Sequence, residues 1–278
     1  MPEIVAIIQG RMGSSRLPGK VLLDIAGKPM LQHVIERAML AHSLGKVVVA
    51  TSSAEADDPI ADFCAARDVE CARGSLHDVL DRYYQAALNQ QADVVVRITA
   101  DCPLIDPELV DQVVRTVVHS GKAVDFAANR LPPPFGRTFP IGLDVEVCTF
   151  AALQRAWQES KETFHREHVM PYLYEGVSLT TVNAQLAQGI SPRGFSIALL
   201  NHVPDHGTLR WTVDTPEDLH FVREVFTRLY ASGKSNFTWY DVLEIIQSEP
   251  ELAAINAEIR HKTMTEVDER NARNEGKV

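Results

Sequence analysis

The sequence predicts an α/β protein with a doubly wound, mostly parallel sheet and a smaller α+β subdomain. Three observations carry that expectation. Short β-branched runs are apolar throughout instead of alternating. Amphipathic stretches of helical length separate them, and the loops after the first and fourth runs hold the densest polar chemistry. Strands apolar on both faces need cover on both, which helices crossing between parallel strands supply.

The elements follow in order. Residues 4–9 (IVAIIQ) form the first strand, followed by a glycine, serine and arginine loop at 10–20 and an amphipathic helix over about 29–40. A second buried strand is expected at 46–51, a helix at 59–67, a third strand at 69–72, a helix over 76–89 and a fourth strand at 94–99 (VVVRIT). Asp106-Pro107-Glu108 opens the next helix, to about 119. An aspartate N-cap accepts from amides of the first turn, and proline at the first helical position has no amide to leave unpaired. A weaker strand is expected at 124–128. The second half is less regular: a proline-rich loop at 131–139, strands near 143–147, 178–183 and 195–199, and helices near 150–159 and 165–174. Asp214-Thr215-Pro216-Glu217-Asp218 starts a helix to about 230, and helical periodicity resumes at Trp239. Residues 261–278 form a polar tail, expected to fray or to pack on a partner subunit.

With 278 residues, 45% of them hydrophobic, the chain can bury one large core. Its formal net charge of −10 argues against nucleic acid or an anionic membrane as partner. An anionic ligand must therefore be met by a local basic cluster or by metal. The N-terminus has no basic region ahead of its short apolar run, and no apolar stretch approaches the ~18 residues of a membrane span. The four cysteines (Cys64, Cys71, Cys102 and Cys148) are scattered without a C-x-x-C pair, as ordinary thiols would be. A cytoplasmic location is expected.

In parallel sheets ligands sit beyond the carboxyl ends of the strands, so the loops after Gln9 and Thr99 are where chemistry is expected. The first carries Gly10, Arg11, Gly13, Ser14, Ser15, Arg16, Gly19 and Lys20, three positive charges and no acid. Glycines let backbone amides approach phosphate, and Arg and Lys add charge-assisted hydrogen bonds. It is not a Walker A loop: five residues separate Gly13 from Gly19, and Lys20 is followed by Val21. A G-x-G-x-x-G fingerprint is absent too. Asp101, after the fourth strand, is placed to hold a hard cation, although an aspartate in a turn can equally satisfy local amides. Asp214 lies one residue before the expected N-cap Thr215, where a carboxylate is favoured with or without metal.

The stretch GRMGSSRLPGKVLLDIAGKPML resembles the N-terminal signature of cytidylyltransferases that make CMP-activated sugar acids, the CMP-Kdo and CMP-neuraminate synthetases, and most of all their spore-coat polysaccharide (SpsF-type) branch. The likeness continues through RGSLHDVLDRYYQAA, RITADCPLIDPELVDQV, GLDVEV, REHV and TVDTPEDL, covering about residues 3–230. Gly10 departs from it, since members usually carry Ala there.

That resemblance implies a nucleotide-diphospho-sugar transferase (Rossmann-like) fold and a Mg²⁺-dependent transfer of CMP from CTP to a sugar or sugar acid, with release of pyrophosphate. Residues 1–260 would form one domain: a nucleotide-binding half to about 128, an acceptor or dimerisation part at 129–210, and a return to the metal site at 211–260. By matching position Gly10, Arg11, Gly13, Ser14, Arg16 and Lys20 would bind the triphosphate, with Arg11 and Lys20 offsetting charge on pyrophosphate. Arg73 and Ser75 would meet the base, and Asp101 and Asp214 would hold Mg²⁺. Arg137, Asp144, Glu146, His165 and Glu167 would line the acceptor pocket or a homodimer contact. Arg82 reads as a helix-surface ion-pair partner, and His165 and His168 as a helix pair without a third metal ligand. A uridylyl- or guanylyltransferase, a glycosyltransferase of related fold and a non-catalytic nucleotide-binding protein are the alternatives.

Overall fold

A computed structural model describes residues 2–119 and 124–260. The expected polar tail at 261–278 lies outside the described residues. The first strand, β1 (Ile4–Gln9), is followed by a 3-10 turn at Lys20–Leu22, a small hairpin of β2 (Asp24–Ile25) and β3 (Lys28–Pro29), and α1 (Met30–Ala38). Next come β4 (Lys46–Ser52), α2 (Asp58–Ala65), β5 (Cys71–Gly74), α3 (Val79–Asn89), β6 (Val94–Thr99) and α4 (Pro107–Val118). The second half holds β7 (Phe126–Ala128), β8 (Glu146–Thr149), α5 (Phe150–Glu159), α6 (Thr163–His168), α7 (Pro171–Tyr174), β9 (Thr180–Asn183), β10 (Leu186–Ile190) and β11 (Ser196–Leu200). The last helices are α8 (Pro216–Ala231), α9 (Trp239–Ser248) and α10 (Pro250–Ala254).

Nine strands form one sheet in the order β5-β4-β1-β6-β8-β7-β11-β10-β9. The first four run parallel. Then β8 inserts antiparallel between β6 and β7, β11 pairs parallel with β7, and β10 and β9 close the far edge antiparallel. The expected mostly parallel α/β sheet is thus mixed in its second half.

Alternate residues of β1 show why it reads as continuously apolar. Ile4, Ala6 and Ile8 pack with Met30, Leu31 and Val34 of α1, Val110 and Val113 of α4, and Phe226 and Leu229 of α8. Val5 and Ile7 face the opposite layer, with Leu80 and Tyr83 of α3, Leu153 of α5 and Leu173 of α7. Each buried Val, Ile, Leu, Met or Phe among them contributes about 1.5–3 kcal/mol relative to exposure, more than the ~0–1 kcal/mol of a typical surface ion pair.

Two expectations are corrected, and two elements were not expected. The strand expected at 143–147 begins three residues later, because Leu143 and Val145 are buried in a loop whose carbonyl at Leu143 and amide at Val145 bond the Asn129 side chain. The helix expected over 165–174 is broken at Val169, whose φ of 73° lies in the left-handed region, and Pro171 restarts it. Strand β10 carries Gly189 and alternates weakly, so its pattern is faint; it is held by pairing on both sides. The short β2–β3 hairpin was not foreseen either.

Candidate active site

The side chains that converge come from three distant segments. Gly19, at φ 70°, turns the chain into the 3-10 helix and points Lys20 inward, where it is 8% exposed. Its Nζ donates to Asp101 Oδ2 at 2.8 Å, Asp214 Oδ1 at 2.8 Å and the Val213 carbonyl at 2.7 Å. Asp101 sits just past the carboxyl end of β6. The 212–214 segment is docked on it, since Val213 N and Thr212 Oγ1 both donate to the Asp101 carbonyl at 2.9 and 3.1 Å. Asp214 is also met by Arg16 at 2.9 Å and Arg210 at 2.8 Å. Burial by itself lowers an ammonium's pKa, but the two carboxylates more than offset it and hold Lys20 above its ordinary value. Burial likewise opposes ionisation of Asp214; Lys20, then Arg16 and Arg210, overcome it and hold that carboxyl well below the usual range. The corner interleaves cationic and acidic side chains, and the two acids keep 24% and 19% of their side-chain exposure.

The glycine loop is braced from below. Met12 N donates to Asp57 Oδ1 at 2.7 Å, Gly19 N to the Met12 carbonyl at 2.9 Å, and Gly10 N to the Ala50 carbonyl at 3.2 Å. Asp57, 2% exposed, also accepts from Ser52 N and Oγ, so it ties the loop to the end of β4. A Cβ on Gly10 would come within 3.0 Å of the Ala100 Cβ, so glycine here answers to a close approach of β1 and β6. Arg11, Gly13, Ser14 and Arg16 are half-buried along this rim, with Ser14 Oγ accepting from Leu17 N at 3.3 Å.

Two residues were missed from sequence. Asp57 carries no motif and could not have been found. Arg82, expected on a helix surface, is 2% exposed, and its Nε and Nη1 are buried without a hydrogen-bond partner among the described residues. Burial, opposed by Tyr83 and Asp57 and reinforced by Arg11, lowers its pKa. Its signal was present: Arg82 falls three residues after Val79 on the stripe that also holds Tyr83 and Ala86. A buried guanidinium with open donors beside the glycine loop is a ready anion contact.

The remaining expected residues lie elsewhere. Arg73 turns back toward the end of β4, donating to the Ser52 and Ala54 carbonyls at 3.0 and 3.1 Å and pairing with Asp58. Ser75 Oγ caps its own turn by accepting from His77 and Asp78 amides. Arg137 forms a forked pair with Asp144. Glu146, 5% exposed, pairs with Arg97 at 2.5 Å, and Arg97 reaches Gln9 Oε1 at 3.4 Å. Glu146, on β8, is therefore two strands from β1 and is linked to Gln9 at its end only through Arg97. His165 is 3% exposed and bonds Glu175 at 3.0 Å, while Glu167 lies half-buried on the same helix. Their neighbour Arg166 grips Asp78, the N-cap of α3, at 2.5–3.0 Å and so ties α6 to α3.

A model of the cytidylyltransferase family matches residues 5–195. The chain belongs to the cytidylyltransferase family. It is 27% identical to the spore coat polysaccharide biosynthesis protein SpsF of Bacillus subtilis over 91% of this chain and 98% of that protein. It is 30% identical to the 3-deoxy-manno-octulosonate cytidylyltransferase of Solibacter usitatus over 84% of this chain and 98% of that one. A solved cytidylyltransferase from Leptospira borgpetersenii superposes with a TM-score of 0.80 at 29% identity, covering 94% of this chain and all of that one. The matched family region ends before Asp214, so the second acid of this cytidylyltransferase is tied to the first by the fold described above. No helix among the described residues is long and apolar enough to cross a membrane.

Proposed function

We propose that the enzyme transfers CMP from CTP to a hydroxyl of an acidic sugar, releasing pyrophosphate, with Mg²⁺ held by Asp101 and Asp214. The observation that carries this reading is the convergence of the two acids on one cation, the Lys20 ammonium, at the rim of the basic loop. Hard oxygen donors from two carboxylates suit Mg²⁺, which takes one or two protein ligands and completes its shell with phosphate oxygens and water. Cation and ammonium compete for the same two oxygens.

When bound, Mg²⁺ supplies charge neutralisation at the phosphates. The chain's own residues do the rest. The basic loop binds the triphosphate, with Arg11, Arg16 and Lys20 opposing its charge and the braced backbone fixing its line. The acceptor oxygen attacks the α-phosphorus, the bond to the β-bridging oxygen breaks, and pyrophosphate leaves against the loop. The hydroxyl proton passes to solvent without a dedicated base. The acceptor class is supported by the names of the relatives, one acting on 3-deoxy-manno-octulosonate and one placed in polysaccharide biosynthesis. Arg97 of β6, with Glu146, Arg137 and Asp144 beyond it, are the side chains assigned to it.

The test is pyrophosphate release with CTP, UTP and GTP, with and without Mg²⁺, against a panel of acidic and neutral sugars. Release with CTP and an acidic sugar alone is expected. Release with UTP or GTP in its place makes the enzyme a uridylyl- or guanylyltransferase, and hydrolysis or transfer from a sugar nucleotide without pyrophosphate makes it a glycosyltransferase.

A further inference from the structure

The helix that follows Asp214 is capped in an unusual way. Both α8 and α9 start with a capping box, Thr215 with Asp218 and Thr238 with Asp241. In α9 the box is a surface device: Asp241 serves the Thr238 amide and hydroxyl and pairs with Lys234, whose side chain is 42% exposed. In α8 the equivalent aspartate is buried completely and serves far more donors. Asp218 Oδ2 accepts from Thr215 N at 3.1 Å, Asp214 N at 2.9 Å and Arg210 Nη2 at 2.9 Å, while Oδ1 accepts from Arg210 Nε at 2.8 Å and Asn256 Nδ2 at 2.8 Å. A capping box needs only the first of these. The additional bonds hold the backbone of Asp214 and, through Arg210 Nη2 on Asp214 Oδ2 at 2.8 Å, its carboxylate.

Asn256 closes the set. It lies just past α10, is 3% exposed, and its amide also donates to the Arg210 carbonyl at 3.0 Å. One side chain thus fixes both ends of the Arg210–Asp218 pair. A carboxylate that must share a cation with Asp101 has little freedom here: Arg210 takes Oδ2 and leaves Oδ1 facing Lys20.

We propose that Asn256, Asp218 and Arg210 form a positioning relay that sets the Asp214 carboxylate for its cation, so that the C-terminal segment is a working part of the active site. This rests on the reading of Asp214 as a cation ligand given above. Partners behind a metal-binding carboxylate orient it, and losing one weakens metal affinity or turnover about 10–100-fold.

The experiment compares wild type with Asn256→Ala, Asn256→Leu, which keeps the bulk, and Asp218→Asn. Three readouts are taken: Tm, kcat and KM for CTP across Mg²⁺ concentration, and Mn²⁺ binding to the enzyme without nucleotide by calorimetry. The relay predicts that Asn256→Leu keeps its Tm within a few degrees yet binds Mn²⁺ about tenfold more weakly. It also predicts a half-saturating Mg²⁺ raised to match and a reduced kcat with KM for CTP little changed. A merely structural Asn256 predicts a lower Tm and fewer active molecules with the Mg²⁺ curve and Mn²⁺ affinity unmoved, and that result overturns the relay. If wild type itself binds no Mn²⁺ or releases no pyrophosphate, the fault lies with the catalytic reading and shows as such, before any variant is compared.

Discussion

Replacing Lys20 by Met tests the charged corner most directly, because methionine keeps the unbranched stem and removes only the ammonium. Three hydrogen bonds of 2.7–2.8 Å are lost and two carboxylates are left facing one another. Breaking a buried ion pair by removing one partner costs about 3–5 kcal/mol. The lower end applies, since the Asp101 and Asp214 side chains keep 24% and 19% of their exposure and Asp214 retains Arg16 and Arg210. For a chain of this size about 3 kcal/mol corresponds to a fall in Tm of roughly 6–12 °C. The pH dependence has a definite sign. Asp214 is held below its ordinary 3.8, so its contribution is present above about pH 3.8 and is lost as pH falls toward the folded value. Lys20 is held above 10.5, so its contribution is present below pH 10.5 and is lost as pH rises past the folded value. The gap between wild type and variant is therefore widest across neutral pH and narrows at pH 3. Thermal melts by circular dichroism at pH 7 and pH 3, each with and without Mg²⁺, read it. Added Mg²⁺ should raise the Tm of the variant more than that of wild type, because the cation no longer displaces an ammonium. An unchanged Tm at pH 7, or an equal gap at pH 3, refutes the account.

Changing Asp101 to Asn keeps shape and removes charge; turnover should fall by about 100-fold or more while the circular dichroism spectrum stays that of wild type, and undiminished pyrophosphate release would discard its role. Arg82→Leu deletes a buried guanidinium with two open nitrogens, so Tm should hold or rise while CTP affinity measured by calorimetry drops about tenfold or more; unaltered affinity would remove Arg82 from the nucleotide site. Arg166→Ala releases the Asp78 carboxylate and the Trp157 carbonyl, and urea unfolding should show a loss of about 1–2 kcal/mol. A stability change within error would mean that α6 is held to α3 by its apolar contacts alone.

The half of the fold around β1 to α4 was legible because each signal was local. Continuous apolar runs mark strands covered on both faces, and Asp106 with Pro107 announces α4 to the residue. The loop at 10–20 was legible too, as three cations without an acid in an acidic chain. What could not be read was direction and depth. Nothing in the LDVEV run of the second half says that β8 enters the sheet between β6 and β7 in the opposite sense, since pairing partners lie far apart in the chain. Val169 was read through as helix because a left-handed valine leaves no mark in the pattern; only Pro171, two residues on, hinted at a break. Arg82 was placed on the surface by residue type although its spacing put it on the apolar stripe of α3. For Arg73 the position at the end of β5 was read well, but the side chain turns back to the Ser52 and Ala54 carbonyls, a choice made by geometry that no spacing encodes.

Strand β8 has a further consequence for how such an enzyme can be altered. It is bonded to β6 on one side and β7 on the other, so the strands below the basic loop and those of the second half belong to a single ladder. Lobed enzymes built around a hinge can admit a new ligand by opening wider. Here the spacing between the two edges is set by strand pitch, about 4.8 Å per step, and adjustment is left to the loops above them. Exchanging residues 131–139 or 201–209 between relatives keeps that spacing, whereas one residue inserted at the start of β8 would carry Val147 and Cys148 each into the opposite buried layer. On the proposed function, selectivity would drift in those loops while the distance from donor to acceptor would stay where the ladder put it.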